Sequence, residues 1–390
     1  MNVFLFTLAD ATNPVDSGVY KKINGEAQAF RNAEFSVYIG YVFENKKYII
    51  ENKLTNEKLT VSIDGLRRYR RMKEIYNFIV SFMSNTPIEI VYMRLGVCSL
   101  QTVSFYSKIK KLCAKLILEI PTWPLKQRHA SIKSELKSKQ YIAALHDIYN
   151  ITINSLGIPF FQNYIDRIVI IGIDTPKIWN IPTITINNGI DTDSIPIKKN
   201  RDDFDKVFHL ICVANLSVWH GIDKVIKGLA SYRKAPKETN VCLHIVGTGS
   251  DESRLKDLVK KLDLTDCVFF KGFKQGADLD KEFDNADLAI SVLGGDKGYL
   301  VVSDSLKSKE YCARGIPFVT GSMETKYNNL PFVYQINEIE NELCIDDVLD
   351  FYQSVKTIPN LNYQIRQFSY HYCDWKNTFD NVIKFCKNEH

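Results

Sequence analysis

The residues best suited to chemistry lie in segment 303–319, where small polar residues open a helical pattern that Gly315 ends. The backbone amides at the start of such a helix, near Ser305 and Leu306, can hold a diphosphate. Lys307 adds a point charge beside them. The segment therefore predicts a site for an anionic ligand.

The same segment offers hydrogen-bond acceptors. The carboxylate of Glu310 and the side chain of Ser303 or Asp304 can accept hydrogen bonds from sugar hydroxyls. An amphipathic surface helix with an ion pair between Lys307 and Glu310 is the alternative interpretation. That alternative does not explain why other loops with similar features occur along the chain.

A second anion site is indicated after the first predicted strand. Residues 16–22 form a small glycine-bearing turn that opens a helix. Gly18 permits close approach of the backbone to a ligand, and the helix N-terminus and Lys22 favour an anion. A plain strand-to-helix turn is the alternative interpretation.

A loop in the second half places an imidazole where a strand ends and a helix begins. It starts at Asn215 and passes through His220 to Gly221, which permits close backbone approach. Contact with a ligand and a purely structural role are both open for His220.

The next predicted strand ends in a glycine turn, Gly247-Thr248-Gly249. The third glycine of a dinucleotide-binding G-x-G-x-x-G motif would fall at position 252, which is Glu. The sequence therefore argues against NAD, and a turn whose backbone amides face a phosphate is the remaining interpretation.

Short apolar β-rich runs alternate with amphipathic helical patterns from end to end, which predicts right-handed βαβ units and mostly parallel sheets. The predicted strands are 3–7, 36–42, 88–93, 115–120, 167–171, 183–186, 208–214, 241–246, 268–270, 288–292 and 317–319. The predicted helices are 19–30, 66–83, 100–113, 132–149, 221–232, 251–262, 278–283, 305–313 and 339–355.

The turn residues at 187–191 separate two such series. We therefore predict an α/β protein with two Rossmann-like, doubly wound domains that face a cleft. The first domain spans 1–190 and the second spans 196–365. Ligands of such sheets bind outside the carboxyl ends of the strands, where the loops described above lie.

Composition excludes several classes of protein. The chain has 390 residues, of which 45% are hydrophobic and 24% are charged, so disordered and collagen-like classes are excluded. No apolar run approaches the roughly 18 residues that a spanning helix needs. The nine cysteines are scattered without a CxxC pair, which favours reduced thiols over a metal site or disulfides. We expect a cytoplasmic protein.

Positive charge is concentrated in the first half. Residues 1–195 have a net charge of +7 and the remainder has −2. Much of the excess lies in 67–73 and 108–115, at helical spacing. A solvated helix face is one interpretation, and a surface that meets an anionic membrane or a pyrophosphate-bearing substrate is the other. Nucleic acid is not expected as a partner, because no concentrated basic and aromatic module is present.

The order of motifs in the second half resembles the donor domain of retaining glycosyltransferases of family 4, which have the GT-B fold. Matching segments occur in order at 187–191, 213–229, 245–249, 268–272, 285–288 and 307–317. The first half is similar more loosely, through 18–23, 92–94 and 119–124, to members that build bacterial capsule, exopolysaccharide or lipopolysaccharide repeat units.

The resemblance implies a nucleotide-diphosphate sugar in the second domain, a saccharide acceptor in the first, and no requirement for a metal or other cofactor. It also implies that a closing helix, within 371–390, crosses back to the first domain. Together with the loops above, it gives the predicted donor-binding residues Gly18, Lys22, Asn215, His220, Gly221, Gly247, Gly249, Phe273, Lys274, Ser305, Leu306 and Ser308.

Three further residues are assigned to catalysis. By its position Glu310 resembles the second Glu of the family's Glu-x7-Glu motif, which holds the ribose hydroxyls. Lys307 would lie at the phosphates of the leaving group, and Arg94 would orient the acceptor or a donor phosphate. Phe273 and Lys274 would lie beside the base.

The sequence departs from the family pattern at the donor site. The first Glu of the motif would fall at position 302, which is Val, and the usual Arg and Lys at the diphosphate are replaced by Asn215 and His220. These departures predict either a deoxysugar donor such as rhamnose, which has fewer hydroxyls to bind, or reduced activity.

The predicted function is transfer of a sugar from a nucleotide-diphosphate sugar to a lipid-linked saccharide in bacterial surface polysaccharide synthesis. The enzyme would work at the inner face of the cytoplasmic membrane, with the basic helices as its docking face. The alternatives are a catalytically inactive nucleotide-sugar-binding protein of the same fold and a nucleotide-sugar epimerase.

Overall fold

The computed structural model describes residues 1–96, 98–121, 123, 152–153, 155–172, 174–199, 207–294, 304–321, 324–336 and 341–388. The contacts divide the chain into two compact units. Unit 1 comprises Met1–Asn187 with Phe379–His390, and unit 2 comprises Asn188–Thr378. The predicted helix 132–149 and residues 302 and 303 lie outside the described residues.

Unit 1 is built on a sheet in the order β4-β3-β2-β1-β5-β6-β7-β9-β8. Its strands are β1 (Asn2–Asp10), β2 (Ser36–Phe43), β3 (Lys47–Asn52), β4 (Lys58–Ser62), β5 (Ile90–Arg94), β6 (Lys115–Ile120), β7 (Arg167–Ile171), β8 (Lys177–Ile178) and β9 (Ile181–Ile186). The six central strands, β2-β1-β5-β6-β7-β9, are parallel to one another. Strands β3 and β4 at one edge and β8 at the other pair antiparallel.

Helices cover both faces of the unit 1 sheet. They are α1 (Ser17–Asn32), α2 (Arg68–Asn85) and α3 (Leu100–Ile109). Ile79 of α2 and Phe105 of α3 share one core with Phe4 and Leu116 of the strands. On the other face, Phe30 of α1 packs edge-to-face on Tyr92. Apolar residues therefore alternate between two covered faces, as a doubly wound sheet requires.

Unit 2 has a wholly parallel sheet in the order β12-β11-β10-β13-β14-β15. Its strands are β10 (Val207–Val213), β11 (Asn240–Val246), β12 (Val268–Gly272), β13 (Leu288–Ile290), β14 (Phe318–Thr320) and β15 (Val333–Gln335). Its helices are α4 (Ile222–Tyr232), α5 (Glu252–Lys261), α6 (Ala277–Asp284), α7 (Leu306–Arg314), α8 (Ile345–Val355), α9 (Leu361–Tyr372) and α10 (Trp375–Thr378). Helices α4, α5 and α8 contribute to the core on one face, and α6, α7 and α9 to that on the other.

The C-terminal segment returns to unit 1 at Phe379. This residue packs on Phe30 and Tyr92, with ring centroids 5.3 and 5.6 Å apart. Helix α11 (Asp380–Lys387) follows, and the Lys115 ammonium donates to its last carbonyls, at 3.0 Å for Cys386. Residues 371–378, predicted to be part of this returning segment, lie in unit 2 instead, because Trp375 packs against Gly189 there.

The predicted fold class, two doubly wound α/β domains, is confirmed. Strands β3 and β4 were not predicted, since edge strand β4 is largely exposed and has no alternating apolar pattern. Helix α9 was not predicted either, because its buried residues are only Ile365 and Ser369. Helix α8 begins at Ile345 rather than at 339, and α3 ends at Ile109 rather than at 113. None of the described helices is long and apolar enough to cross a bilayer.

Candidate functional site

The N-terminus of α7 lies beside the carboxyl end of β13. Ser305 caps the helix, and its hydroxyl accepts a hydrogen bond from the amide of Lys307 at 3.3 Å. Ser308 is fully buried, and its hydroxyl is 2.7 Å from that of Ser291, the residue that follows β13. The Ser308 hydroxyl therefore has one partner within the protein, and its contact with a phosphate stays a prediction. Leu306 is the first residue of the helix, so its amide is one of those at the N-terminus.

Lys307 provides the clearest sign of a ligand site. Its Nζ is buried and has no hydrogen-bond partner among the described residues. Burial lowers the pKa of this ammonium group to about 8. A buried cation without a counter-ion is costly, so the position favours an anionic ligand that would supply one.

His220 lies on the loop that follows β10, near Lys307 of α7. Burial, and then the positive charge of Lys307, lower the pKa of His220 to about 3. The imidazole is therefore neutral at pH 7 and adds no positive charge to that of Lys307. Its Nδ1 is buried and has no partner in the described part of the chain.

The loop that carries His220 is held by close backbone contacts. Gly221 has φ 69°, and a Cβ there would lie 2.6 Å from the carbonyl oxygen of Gly294. Trp219 and Val218 are both more than half exposed, so the loop also presents an apolar surface beside His220. Asn215, at the start of the loop, is exposed. No role was predicted for Trp219, although a tryptophan in a loop between a strand and a helix is itself a signal.

The glycine turn after β11 is required by packing within unit 2. A Cβ on Gly247 would lie 1.9 Å from the carbonyl oxygen of Ala214, and one on Gly249 would lie 2.2 Å from that of Leu216. The amide of Gly247 already donates to the carbonyl of Gly272 at 2.7 Å. The Gly247 amide is therefore not available to a phosphate, and both glycines instead let this turn approach the His220 loop.

Glu310 lies on α7, one turn after Lys307. Its Oε1 accepts two hydrogen bonds of 3.1 Å from Arg314, which also pairs with Asp280 of α6. No described residue donates to Oε2 of Glu310, and the side chain is partly exposed. This second oxygen is therefore oriented by the Arg314 contact while it remains open to a hydroxyl donor.

The two residues predicted beside the base follow β12. Phe273 is nearly half exposed, which suits stacking on a ligand ring. The ammonium of Lys274 is 3.1 Å from Glu282 of α6, so this lysine is engaged in an ion pair rather than free for a ligand.

Two of the three residues predicted in unit 1, Lys22 and Arg94, belong to a cluster at the carboxyl ends of β5 and β6. Arg94 pairs with Glu119 at 2.9 Å, and Lys22 pairs with the other oxygen of Glu119 at 2.9 Å and with Glu26. Tyr92 lies between the two carboxylates. Lys22 is buried, because positions 22 and 26 both lie on the inward face of α1. This corrects its predicted role at a diphosphate.

Titration in this cluster follows from burial. Burial, and then the negative charge of Glu119, raise the pKa of Glu26 to about 8. Burial alone would raise the pKa of Glu119, but Lys22 and Arg94 outweigh it and the pKa is lowered. Arg94 is the partly exposed member of the cluster. A Cβ on Gly18 would meet nothing within 4 Å, so space is open at the start of α1.

No role was predicted for Glu119, Glu26 or Lys309. Asp304 was predicted to accept from sugar hydroxyls, whereas its carboxylate pairs with Lys309 and Lys326. The available signal was a charged residue inside an apolar pattern, such as Glu119 within β6. Among the described residues, no group of three or more His, Cys, Asp or Glu side chains is placed to hold a metal ion.

The second of the two doubly wound units has a buried cation at a helix N-terminus beside its strand ends, the place where ligands of such α/β sheets bind. Residues 193–294, which lie in unit 2, match the family model described as glycosyl transferases group 1. This match supports a glycosyltransferase of group 1.

Solved structures with the same fold cover nearly the whole chain. Sucrose-phosphate synthase of Thermosynechococcus elongatus aligns with a TM-score of 0.67 at 11% identity, over 100% of this chain and 98% of its own. HepE of Anabaena, in complex with UDP-glucose, aligns with a TM-score of 0.60 at 14% identity, over 100% of this chain and 99% of its own. The catalytic domain of starch synthase IV of Arabidopsis thaliana, bound to ADP and acarbose, aligns with a TM-score of 0.63 at 10% identity. The alignment covers 99% of this chain and 98% of that domain. A search of curated proteins found no match.

Proposed function

We propose that the chain transfers a sugar from a nucleoside-diphosphate sugar to a saccharide acceptor with retention of configuration. The observation that carries the proposal is the buried Lys307 ammonium, which has no counter-ion among the described residues and lies in the first turn of α7. The group 1 match of residues 193–294 and the nucleotide and sugar complexes of structural neighbours support it.

The chemistry requires stabilisation of the diphosphate that leaves the sugar. Lys307 and the amides at the start of α7 would bind the negative charge that develops on the leaving oxygens. The open oxygen of Glu310 would hold the ribose hydroxyls. The leaving phosphate itself would accept the proton of the attacking hydroxyl. We also propose that transfer needs no metal ion, because Lys307 and the helix amides would stabilise the leaving diphosphate.

The acceptor is proposed to be a lipid-linked saccharide of bacterial surface polysaccharide synthesis, met at the inner face of the membrane. In support, Arg67, Arg68 and Arg70 at the start of α2 are exposed, and the neighbouring Tyr69 is exposed as well. Binding to anionic liposomes should weaken with salt and disappear on charge reversal of these arginines. Binding unchanged by both treatments would contradict this part of the proposal.

The first test is thermal stabilisation of the purified chain by UDP, GDP, dTDP, CDP and ADP, with NAD as the control. A ligand that binds only the native state raises the melting midpoint by mass action. One clear nucleoside diphosphate would fix the base and support donor binding. The proposal is wrong if none of them shifts the midpoint.

Transfer is then measured with the selected donor. A rhamnose or other deoxysugar donor is included, because Asn215 and the neutral His220 replace the cations usual at this site. Consumption of the donor without an acceptor would favour the epimerase alternative. Donor binding without turnover across acceptors would favour the inactive binding protein.

Replacing Glu310 with glutamine is expected to lower transfer by about 100-fold. Arg314 would hold the amide oxygen, so an NH2 group would replace the carboxylate oxygen that accepts from the ribose hydroxyls. The Glu342→Gln variant, which changes an exposed glutamate of unit 2, should transfer at the wild-type rate. Initial rates at saturating acceptor, with melting midpoints for both variants, provide the measurement. Wild-type transfer by Glu310→Gln would remove Glu310 from the site.

A further inference from the structure

The buried ionic cluster at the carboxyl ends of β5 and β6 has one partly exposed member, Arg94. Arg94 and Glu119 occupy paired positions of these adjacent parallel strands, so their side chains lie on the same face of the sheet. Lys22 and Glu26 are four residues apart on the inward face of α1, which packs on that face. The fold therefore brings two cations and two carboxyl groups together from three separate segments.

Glu119 holds the guanidinium of Arg94 from inside the protein. Its side chain is fully buried, and its Oε1 accepts a hydrogen bond from Nη1 of Arg94 at 2.9 Å. The Lys22 ammonium lies 2.9 Å from the other oxygen, Oε2, so the carboxylate is fixed on both sides. A guanidinium that is already fixed loses less rotamer freedom when a ligand binds, and so binds more tightly.

Part of the Arg94 guanidinium remains available to a ligand. No described residue accepts a hydrogen bond from its Nε or Nη2, and 22% of the side chain is exposed. Arg94 is the last residue of β5, and ligands of doubly wound sheets bind outside the carboxyl ends of the strands. The planar fork of N–H donors in arginine matches the oxygens of a phosphate group. A phosphate therefore suits the donors that Glu119 leaves open.

The charges of the cluster also favour an anion. Burial, and then the charge of Glu119, raise the pKa of Glu26 to about 8, so this carboxyl group is mostly protonated at pH 7. Lys22 and Arg94 then share the single charged carboxylate of Glu119. Stability alone does not explain such a cluster, because buried ion pairs are often no more stable than apolar side chains of similar volume. Binding of an anion does explain it.

We propose that Glu119 is a positioning residue, which holds Arg94 in the orientation that binds a phosphate group of a substrate. The inference rests on the proposed function, because it concerns the substrates of that reaction. A lipid diphosphate on the acceptor and the diphosphate of the donor are the two sources of this chemistry, and separate probes distinguish them.

The probes are geranyl diphosphate, which carries a prenyl chain and a diphosphate without a saccharide, and the nucleoside diphosphate that the stabilisation panel selects. Geranyl diphosphate is titrated into the full chain with Lys307→Met, so that the anion site of unit 2 does not contribute. The nucleotide is titrated into the chain with Lys307 intact.

Arg94→Met is expected to weaken one or both probes by about tenfold, since a charge-assisted bond to phosphate is lost. Loss for geranyl diphosphate assigns the phosphate to the acceptor, and loss for the nucleotide assigns it to the donor. Arg31→Met, at an exposed arginine of α1, is the matched control and should weaken neither probe.

Two substitutions of Glu119 separate position from charge. Glu119→Gln removes the negative charge, whereas Glu119→Asp keeps it but withdraws the carboxylate by one methylene. Both are expected to weaken the affected probe by about fivefold, because Arg94 loses its support. Adding either substitution to Arg94→Met should cause no further loss, since Glu119 acts through Arg94. Melting midpoints are measured for every variant, and Glu119→Asp, which keeps a counter-ion for both cations, provides the comparison if Glu119→Gln does not fold.

Unchanged affinity of Arg94→Met for both probes would overturn the inference. Tighter binding by Glu119→Gln together with wild-type binding by Glu119→Asp would also overturn it, because Glu119 would then act through its charge. Losses that multiply in the double variants would contradict it as well, since Glu119 would act independently of Arg94. The proposed function fails instead if the wild-type chain binds no nucleoside diphosphate, which is seen before any substitution is made.

Discussion

Lys307→Met is expected to make the ligand-free protein more stable and its nucleotide complex about 100-fold weaker. The gain in stability follows from the pKa of about 8, against 10.5 for an ordinary lysine. That difference corresponds to about 3 kcal/mol of destabilisation at pH 7, which methionine removes. The loss of affinity follows from removal of a charge-assisted bond to phosphate.

The opposite signs make this test specific. A variant that merely damaged the fold would lower both the melting midpoint and the affinity. Urea unfolding of the free protein and titration with the selected nucleoside diphosphate give the two quantities. The Lys356→Met variant, at an exposed position after α8, should change neither. A destabilised Lys307→Met with normal affinity would show that Lys307 is structural.

The pH dependence of the wild-type protein should agree. Above pH 8 the folded state has lost the Lys307 proton while the unfolded chain keeps it up to about pH 10.5, so this residue's contribution to stability rises with pH over that range. Nucleotide affinity should fall over the same range, since the phosphate needs the charged form. Lys307→Met should lack both dependences.

The sequence predicted the strands and helices that position the site better than the contacts of its side chains. The strands follow from apolar runs in the sequence. Helix α7 begins after a small polar capping residue and ends at Gly315, so both features depend on the local pattern. Lys307 was assigned correctly to the start of that helix. The buried environment that lowers its pKa comes from the fold, which a local pattern does not contain.

Three residues predicted at the donor have partners within their own unit. Lys22 pairs with Glu119, Lys274 pairs with Glu282, and the Ser308 hydroxyl contacts that of Ser291. Residue type indicates what a side chain can bind, whereas tertiary packing determines whether another residue binds it first. His220 illustrates the same point, since its neutrality depends on burial and on Lys307.

Asp304→Asn is expected to destabilise the protein by about 3 kcal/mol, because this carboxylate joins a buried ionic network at the start of α7. Asp304 accepts from Lys309, from Lys326 at 2.6 Å, and from the amide of Asn188. Glu324 lies 3.0 Å from Lys326 and completes the network. An asparagine would leave two buried or half-buried ammonium groups with a single carboxylate.

The acid stability of the protein gives an independent measure of the same contact. Burial alone would raise the pKa of Asp304, but Lys309 and Lys326 outweigh it and hold the pKa at about 2, against 3.8 for an ordinary aspartate. Its contribution is therefore present above pH 4 and lost as the pH falls towards 2, and amounts to about 2 kcal/mol. Asp304→Asn should lack this part of the acid transition.

Asp266 provides the matched control, because it also pairs with a cation but is well exposed. Its carboxylate binds Arg233 at 2.7 and 2.8 Å. Asp266→Asn should cost less than about 1 kcal/mol, since solvent screens an exposed ion pair. Urea midpoints for the wild type and both variants, at pH 7 and pH 3, provide the comparison. Equal losses for the two variants would contradict the argument, because burial is what makes the Asp304 network costly to break.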